Sequence, residues 1–239
     1  MMPFEDDFPA RYARNRETLS VHNQKTLQAS HVCVVGLGGL GGAVIEILAR
    51  LGIGTLTLID GDIFEESNLN RQLLSTMQNL GTAKAEAAEA RIRQINPLVK
   101  TVVHSVFLTS DNASALIAGA EVAADCLDNL KSRFILEKAV KSAGIPMVSA
   151  AIAGTFGQMT TIFPEDAGLS LVYGPEHTVP DRGAEADLGT LPYTALALAA
   201  LECSEITKIL LQQGRTLKNR LLVLDLMENM LEVLPLIPV

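Results

Sequence analysis

The sequence predicts an α/β fold in which a doubly wound, mostly parallel sheet continues into a mixed or antiparallel portion. Up to about residue 150, short apolar runs with strand character alternate with helical stretches. Such alternation is typical of parallel strands joined by right-handed helical crossovers. A glycine-rich turn joins the first apolar run to the helix that follows it. After Ala151 the alternation stops, which indicates a different strand arrangement in the second half.

Strands and helices alternate throughout the first half of the chain. The predicted strands are 31–38, 55–60, 101–108, 121–128 and 145–151, and the predicted helices are 39–52, 82–96, 113–119 and 132–144. Pro97 follows one of these helices and Gly144 closes another, and both residue types commonly end a helix. A helical segment at 8–30 precedes the first strand.

The second half has a different pattern. Residues 157–164 are predicted to form a strand that meets its predecessor through a glycine-containing turn, so the late sheet is mixed. Residues 174–189 are polar and rich in Gly and Pro, which predicts a loop. The helix 191–212 carries apolar residues on several sides, as expected of a helix packed in an interior. Two further strands, around a Met-Glu-Asn turn, are predicted near the end of the sequence.

The overall composition limits the classes of partner. A hydrophobic content of 48% against 19% charged residues is that of a compact globular protein rather than a disordered chain. The net charge of -8 argues against broad nucleic-acid binding, which needs a basic surface. The N-terminus lacks the basic-then-apolar order of a signal peptide, and no apolar stretch reaches the length of a membrane span. We therefore expect a cytoplasmic protein that binds neither nucleic acid nor a membrane.

The three cysteines, Cys33, Cys126 and Cys203, are far apart and form no CxxC pair. This spacing suggests neither a disulfide framework nor a zinc knuckle. Cys33 and Cys126 lie in apolar, strand-like runs, and Cys203 lies on the long late helix. All three are predicted to be small core residues.

A nucleotide site is predicted at the turn between the first strand and the helix that follows it. Gly36, Gly38 and Gly41 form the pattern G-x-G-x-x-G. The first glycine permits the tight turn, the second lets the backbone approach a phosphate, and the third lets helix and strand pack closely. The N-terminus of the helix presents free N–H groups and a partial positive charge to an anion.

The rest of the nucleotide-binding edge follows the second strand. Asp60 ends this strand, 24 residues after Gly36, where a carboxylate can accept hydrogen bonds from ribose hydroxyls of either NAD or ATP. Arg71 and Lys84 come next, and an Arg with a Lys suits a polyphosphate. Three amide side chains accompany Arg71 in its loop: Asn68, Asn70 and Gln72. Hydride transfer would need few of these groups.

Two polar residues follow the fourth strand and so lie at the same edge of the predicted sheet. Asp128 and Asn129 occupy these positions, and a carboxylate near phosphates suits Mg²⁺. An alternative interpretation makes Arg71 and Lys84 ordinary surface charges, and makes Asp128 the cap of the following helix.

Seven short motifs, taken together in their order and spacing, carry a family resemblance. They are RYARN at 11–15, VGLGGLG at 35–41, DGD at 60–62, SNLNRQ at 67–72, GTAK at 81–84, INP at 95–97 and DCLDN at 125–129. This set resembles the ThiF/MoeB/HesA group of the ubiquitin-activating-enzyme-like superfamily, from about Phe8 to Leu236. The resemblance implies a Rossmann-like sheet. We expect one domain over 1–239, with a helical segment at 8–30, a nucleotide-binding half at 31–150 and a mixed-sheet half at 151–239.

Members of this group use ATP to adenylate the C-terminal carboxylate of a small ubiquitin-like sulfur-carrier protein that ends in Gly-Gly, and they release pyrophosphate. The resemblance therefore implies an adenylyltransferase with ATP and Mg²⁺ as cofactors. A carboxylate is already ionised at pH 7, so the reaction needs no general base. The difficulty lies in bringing two anions together, which calls for cations and for positioning.

The resemblance also implies a set of site residues. The implied catalytic residues are Arg14, Arg71, Lys84 and Asp128. The implied cofactor-binding residues are Gly36, Gly38, Gly39, Gly41, Asp60, Asp62, Ser67, Asn68, Asn70, Arg71, Gln72, Lys84, Asp128 and Asn129. Within this set, Gly39 would lie against the nucleotide, Asp60 would hold the ribose, and Asp128 would bind Mg²⁺. The phosphates would contact Asn70, Arg71 and Lys84, with Gln72 in support.

Arg14 has a special place in this comparison. It matches an arginine that, in this group, reaches into the nucleotide site of the neighbouring subunit. The resemblance therefore implies a homodimer with two composite sites. Without it, Arg14 would be interpreted as a surface residue of an N-terminal helix.

Two features of the group are missing from this sequence. Many relatives bind a structural zinc ion through two CxxC pairs, but residues 171–174 and 234–239 contain no cysteine, so no zinc site is predicted. Relatives that form a thioester or an acyl disulfide use a cysteine in the loop that corresponds to 174–189, which has none. A separate sulfur donor is therefore the expected partner in any sulfur transfer.

Two other functions stay open at this point. One is a noncatalytic relative that binds a ubiquitin-like partner as a scaffold. The other is an NAD-dependent oxidoreductase, which the glycine-rich turn and Asp60 would permit. The oxidoreductase interpretation explains neither the SNLNRQ motif nor Lys84.

Overall fold

The computed structural model of the protein describes residues 8–180 and 183–237, and an eight-stranded sheet forms its centre. The strands are β1 (His31–Val35), β2 (Thr55–Ile59), β3 (Lys100–His104), β4 (Val122–Asp125), β5 (Met147–Ala153), β6 (Phe156–Ile162), β7 (Arg220–Asp225) and β8 (Met230–Pro235). Their order is β3-β2-β1-β4-β5-β6-β7-β8. The pairs from β3 to β5 are parallel, and those from β5 to β8 are antiparallel. The predicted fold class is confirmed.

Helices cover both faces of the sheet. The α-helices are α1 (Val21–Ala29), α2 (Gly39–Leu51), α3 (Lys84–Ile95), α4 (Ala113–Leu116), α5 (Leu130–Ala143), α6 (Ser170–Tyr173), α7 (Glu185–Leu188) and α8 (Pro192–Leu211). Short 3-10 helices occupy Ala10–Asn15, Glu66–Asn68 and Glu176–Thr178. We call the first of these the N-terminal 3-10 helix. Together with α1 it forms the helical segment that the sequence predicts before β1.

The core lies on both faces of the sheet because side chains along a strand point alternately to opposite sides. In β1, Val32 and Val34 belong to a cluster that includes residues of α2, α3 and α8. Cys33 and Val35 point the other way and join a cluster with residues of α4 and α5. Both faces of this central strand are therefore buried, as is usual for a parallel sheet.

The long helix α8 fills an interior position. It packs against α2 and also against β4, β5 and β6. A helix between another helix and a sheet must be apolar on more than one side, as the sequence of α8 predicts. Because α8 contacts strands of both the parallel and the antiparallel parts, it links the two halves of the chain.

The start of α2 lies unusually close to the end of β1. A Cβ atom on Gly41 would lie 1.8 Å from the carbonyl oxygen of Gly36, and a Cβ on Gly36 would lie 2.6 Å from the carbonyl oxygen of Cys126. Gly36 also has a φ of +88°, in the left-handed region that favours glycine. The two glycines therefore allow the helix to begin directly above the ends of β1 and β4.

The third strand is shorter than predicted. The apolar run 101–108 was expected to continue as a strand, but β3 ends at His104. Beyond it, Leu108 turns into the core beside α4, while Phe107 packs over Gly61 at the end of the neighbouring strand. The side chain of Asn112 fixes this turn, since it accepts from the N–H of Thr109 at 2.8 Å and donates to the carbonyl of Phe107 at 2.9 Å.

Other boundaries also differ from the sequence predictions: β1 ends at Val35 rather than at residue 38, and β4 ends at Asp125 rather than at residue 128. Helix α3 begins at Lys84 rather than at residue 82, because Ala83 is extended and the carbonyl of Thr82 accepts a hydrogen bond from the N–H of Phe64. The loop predicted at 174–189 contains two short helical turns among its described residues, the 3-10 helix Glu176–Thr178 and α7. The rest of this loop includes residues 181 and 182, which lie outside the described part of the chain.

The contact between α2 and β1 generates a stability prediction. We expect Gly41→Ala to lower the free energy of unfolding by about 3 kcal/mol, since the new methyl group overlaps a backbone carbonyl that cannot rotate away. Gly42→Ala is the matched control, because a Cβ there would meet the flexible side chain of Leu74 at 3.2 Å. It should change stability by less than about 1 kcal/mol. Urea unfolding followed by circular dichroism measures both, and equal losses would contradict the proposed contact.

Candidate active site

A cavity of about 800 Å³ opens at the carboxyl ends of the parallel strands. One wall comes from the residues that follow β1, β2 and β4, and the opposite wall comes from β5, β6 and the loop that precedes α8. From β1 the chain adds β2 and β3 on one side, and it then returns to place β4 and β5 on the other side of β1. The direction of the connections therefore reverses between β1 and β4. Open α/β sheets bind their ligands at this kind of switch point.

The glycine-rich turn and Asp60 are joined by hydrogen bonds at the cavity edge. The N–H of Leu37 donates to Asp60 Oδ2 at 2.6 Å, and the N–H of Asp62 donates to Asp60 Oδ1 at 2.8 Å. Burial raises the pKa of Asp60, although these two hydrogen bonds and the charge of Lys84 act in the opposite direction. Asp60 thus holds the turn in place while it also lines the cavity, together with Gly36, Gly38 and Gly39.

Lys84, the first residue of α3, brings a positive charge to the cavity. It is only 6% exposed, and its Nζ lies 3.0 Å from Asp62 Oδ2. The backbone N–H of Lys84 donates to the carbonyl of Asp62 at 2.9 Å, so the two residues are fixed to each other at both levels. Both line the cavity.

The SNLNRQ loop lies against the glycine-rich turn. Arg71 Nη1 donates to the carbonyl of Ser67 at 2.8 Å and to Asn70 Oδ1 at 3.1 Å. The other N–H groups of the guanidinium can therefore donate to a ligand. The Arg71 side chain also packs beside Gly39 and lines the cavity. Gln72 is buried next to Gly38, and its Oε1 has no hydrogen-bond partner within the described structure.

Asp128 and Asn129 line the cavity on the side of β4 and have different tasks. Asn129 caps α5, since its side chain accepts from the N–H of Ser132 at 2.8 Å. The alternative interpretation in which Asp128 caps this helix is therefore wrong. Asp128 is exposed at the cavity, with its Oδ1 3.5 Å from Asn129 Nδ2.

The family model described as "ThiF family" matches residues 12–238. The chain belongs to the ThiF family.

Relatives of known name agree with this membership. The SAMP-activating enzyme E1 of Haloferax volcanii is 36% identical over 230 residues, which are 94% of this chain and 84% of that protein. A probable adenylyltransferase/sulfurtransferase MoeZ of Mycobacterium tuberculosis is 35% identical over 227 residues, but the chain spans only 58% of its length. The expectations of a ThiF/MoeB-type chain and of an enzyme of the adenylyltransferase class are confirmed by these relatives.

A solved structure agrees as well. The tRNA N6-threonylcarbamoyladenosine dehydratase TcdA of E. coli, crystallised in complex with ATP, superposes with a TM-score of 0.71. The alignment covers 85% of this chain and 96% of TcdA, at 25% sequence identity. The ThiF-family sheet and its helices are therefore shared over nearly the whole of that enzyme.

Several predicted site residues lie outside the cavity lining of this ThiF-family chain. Gly41 acts in the packing of α2 on β1, as described above. Asn68 is buried and accepts from the N–H of Glu65 at 3.1 Å, while Ser67 and Asn70 hold Arg71. Arg14 is exposed on the N-terminal 3-10 helix. These residues shape or flank the site. Direct contact between any of them and a nucleotide stays a prediction.

Sequence reasoning missed an arginine in the cavity wall. Arg133 of α5 is buried, and its Nη1 donates to Asp125 Oδ2 and to the carbonyl of Ala150, both at 2.9 Å. Its Nη2 donates to the carbonyl of Leu127. Burial alone would lower the pKa of Arg133, but the charge of Asp125 raises it above the ordinary value. A sequence signal was present: an Arg between apolar residues of a helix directly after a strand that ends in Asp.

A partly buried thiol and a fully buried carboxyl form a pair next to the glycine-rich turn. Glu202 of α8 is fully buried, and Cys126 Sγ donates to its carboxyl oxygens at 3.6 and 3.7 Å. Burial raises the pKa of Glu202 well above its ordinary value, and nearby Asp125 adds to the effect. Burial likewise raises the pKa of Cys126, with a further contribution from Glu202. Both groups therefore favour their neutral forms.

The cysteine predictions are confirmed for two residues and corrected for the third. Cys33 is buried in β1, and Cys203 is buried on α8 with its Sγ 3.6 Å from the carbonyl of Val44. Cys126 is not a strand residue of the core, because β4 ends at Asp125 and Cys126 lines the cavity. Its raised pKa makes it a poor nucleophile at neutral pH.

The cavity wall that β6 and α7 form is more apolar than the wall with the glycine-rich turn. It includes Phe156 and Leu188, with a polar pair formed by Gln158 Nε2 and the Tyr173 hydroxyl at 2.8 Å. Phe107 lines the cavity beside Gly61 and is 65% exposed. The cavity therefore has a charged end near Arg71 and Lys84 and a mainly apolar end between β6 and α7.

In the described ranges, 8–180 and 183–237, no group of three or more His, Cys, Asp and Glu side chains could hold a metal ion. The predicted lack of a zinc site stays a prediction. None of the helices in these ranges has the length and apolar character needed to cross a membrane.

The buried Glu202 generates a prediction about pH. Because its pKa is raised in the folded state, Glu202 stabilises the fold fully below the ordinary carboxyl pKa of 4.5, and this contribution is lost as the pH rises from there. Glu202→Gln, which mimics the neutral acid, should remove the loss. We expect the stability of the wild type to fall relative to the variant, by up to about 1.4 kcal/mol per pH unit.

Urea unfolding of both proteins tests this, at several pH values between the ordinary carboxyl pKa of 4.5 and pH 8. Other titrating groups are shared, so their contributions cancel in the difference between the two curves. Parallel curves over the whole range would show that Glu202 titrates normally.

Proposed function

We propose that this ThiF-family chain uses ATP to adenylate the C-terminal glycine carboxylate of a small ubiquitin-like sulfur-carrier protein, with release of pyrophosphate. The observation that carries the proposal is the meeting of Arg71 and Lys84 at one end of a cavity that begins at a glycine-rich turn. An NAD-dependent oxidoreductase needs few charged groups beyond the carboxylate that binds the ribose. The names of the relatives, a SAMP-activating enzyme E1 and an adenylyltransferase/sulfurtransferase, support the same activity.

In the proposed reaction, an oxygen of the carrier carboxylate attacks the α-phosphorus of ATP. The bond from the α-phosphorus to its bridging oxygen breaks, and pyrophosphate leaves with that electron pair. The free N–H groups at the start of α2 and the cations Arg71 and Lys84 lower the cost of bringing the two anions together. Lys84 already balances the charge of Asp62, so it is held in place before a phosphate arrives.

The remaining residues position the substrates. Asp60 would accept hydrogen bonds from the ribose, because its carboxylate is fixed by the turn and still faces the cavity. The apolar wall near Phe156 and Gln158 suits an extended peptide tail whose carboxylate points towards the charged end. No side chain is needed as a general base, since the attacking carboxylate carries its charge at neutral pH.

Mg²⁺ fits the residues of this site. Asp128 offers an exposed carboxylate at the cavity that is free of helix capping, and Mg²⁺ prefers one or two carboxylates together with phosphate oxygens. When bound, the ion would neutralise part of the triphosphate charge. Asp128 would hold it, with Asn129 alongside.

The proposal includes partners. A homodimer would let the exposed Arg14 of each chain act in the site of its neighbour. Sulfur transfer would need a separate donor, because the one cysteine that lines the cavity, Cys126, has a raised pKa, and the sequence of loop 174–189 holds no cysteine.

The main test is ATP–pyrophosphate exchange with carrier proteins that end in Gly-Gly. We expect Arg71→Ala to lower the exchange rate by about 10²–10³-fold, as loss of a group that stabilises transition-state charge does. Arg93→Ala is the matched control, because Arg93 is an exposed arginine paired with Glu89 on the outer side of α3. It should exchange at the wild-type rate.

Other outcomes of this assay would favour the alternatives. Tight ATP binding without exchange for any of the carriers would favour the scaffold function. Exchange that persists in Arg71→Ala would remove the main support for the proposed chemistry. Binding of NADH in preference to ATP would overturn it.

A second prediction concerns the metal. Asp128→Asn should raise the Mg²⁺ concentration needed for half-maximal exchange by about tenfold or more, because the amide is a weaker ligand than the carboxylate. Asp111→Asn, at an exposed position outside the cavity lining, serves as control. Titration of MgCl₂ in the exchange assay measures both, and identical Mg²⁺ dependence of the two variants would contradict the role of Asp128.

A further inference from the structure

Two motifs that lie outside the cavity lining, RYARN and INP, meet in one buried junction. Asn96, the residue that ends α3, is 2% exposed. Its Nδ2 donates to the Tyr12 hydroxyl at 2.8 Å and to the carbonyl of Ala49 at 3.0 Å. Arg11 donates to Asn96 Oδ1 on the other side of the amide. The Asn96 side chain is therefore satisfied by groups from three different parts of the chain.

The ring of Tyr12 is enclosed at this junction. Tyr12 is also 2% exposed, and a Cβ on Gly52 would lie 2.4 Å from its hydroxyl oxygen and 2.5 Å from Cζ. Gly52 caps α2 with a φ of +82°. The N-terminal 3-10 helix is thus attached to the C-terminal ends of both α2 and α3.

This attachment determines where Arg14 lies. A 3-10 helix has about three residues per turn, so residues two apart point to different sides. While Tyr12 faces the protein, Arg14 is exposed and lies outside the lining of its own chain's cavity. A six-residue 3-10 helix has little stability of its own, so its orientation depends on the junction.

Directional hydrogen bonds suit this task better than apolar packing would. A buried apolar side chain could tolerate small rotations of the short helix, whereas the two donors and the acceptor of Asn96 are satisfied in one arrangement. Loss of one partner leaves a buried polar group unpaired, which is costly. The junction is therefore suited to hold a nearby side chain at a fixed place.

We propose that Tyr12 and Asn96 are positioning residues that hold Arg14 for the nucleotide site of a second copy of this chain. This inference rests on the proposed adenylation activity and on the homodimer proposed with it. It predicts that damage to the junction lowers activity in the partner's site and leaves the chain's own site intact.

The test uses Tyr12→Phe, which removes the hydroxyl and keeps the ring. ATP affinity, measured by calorimetry, should stay within about twofold of wild type, because the residues that bind ATP in the chain's own site are unchanged. The exchange rate at saturating ATP should fall by about tenfold, because Arg14 is no longer held in place. Tyr193→Phe, at an exposed tyrosine on α8, is the matched control and should behave as wild type. If Tyr12→Phe folds poorly, Arg11→Ala replaces it, because Arg11 is at an exposed position. Arg11→Ala should also lower the exchange rate.

Mixed dimers provide the decisive measurement. Subunits of Tyr12→Phe mixed with Arg71→Ala should recover up to about a quarter of wild-type exchange, because half of the dimers are hybrids and each hybrid has one complete site. Tyr12→Phe mixed with Arg14→Ala should recover nothing. If Tyr12 merely supported its own chain's site, the pattern would be reversed, with recovery from Arg14→Ala and none from Arg71→Ala.

The result also separates this inference from the proposed function. Full activity of Tyr12→Phe, or the reversed pattern of recovery, would overturn the positioning role while exchange by the wild type still supported adenylation. Lack of exchange in the wild type with every carrier would instead overturn the proposed function and this inference with it.

Discussion

The close approach of α2 to the end of β1 is the constraint on which the charged end of the cavity depends. With Gly41 against the carbonyl of Gly36, the helix starts within the turn itself, and its first residues, Gly39 and Leu40, line the cavity. The same turn presents the N–H of Leu37 to Asp60, which fixes the carboxylate at the end of β2. A side chain at either glycine would separate the helix from the strands and would move all of these groups apart.

The charges around this turn fall into two kinds. Arg133 is buried and fully engaged by Asp125 and by two backbone carbonyls, so it supports the wall of the cavity. Arg71 and Lys84 border the cavity and keep donors that a ligand can use. The cavity lining also holds Asp60, Asp62 and Asp128, so these cations act on a ligand through short contacts rather than through a net positive field. Long-range attraction would not by itself bring an anion here, so binding depends on these fixed neighbours.

The sequence predicted the parts of the site that topology brings together. The carboxyl ends of parallel strands meet at one edge, so Asp60 and Asp128 could be placed there from the strand pattern alone. Glu202 could not, because it reaches Cys126 from a helix 76 positions along the chain. The end of β3 was also beyond the pattern, since apolar residues continue to Leu108 after the polar pair His104 and Ser105, and the packing of Phe107 on Gly61 is visible only in the structure.

Helix α8 explains why the two halves of the chain must act as a unit. Glu202 on its buried side touches Cys126 next to the glycine-rich turn, while the same helix packs on β5 and β6, which form the apolar wall. A shift of α8 would therefore change the floor of the charged end and the wall of the opposite end together. Because burial raises the pKa of the Glu202 carboxyl, the neutral form is favoured beneath the turn. An ionised carboxylate at that place would repel the phosphates that we propose for the turn, Arg71 and Lys84, so the raised pKa of Glu202 favours the proposed site as well as the packing of the core.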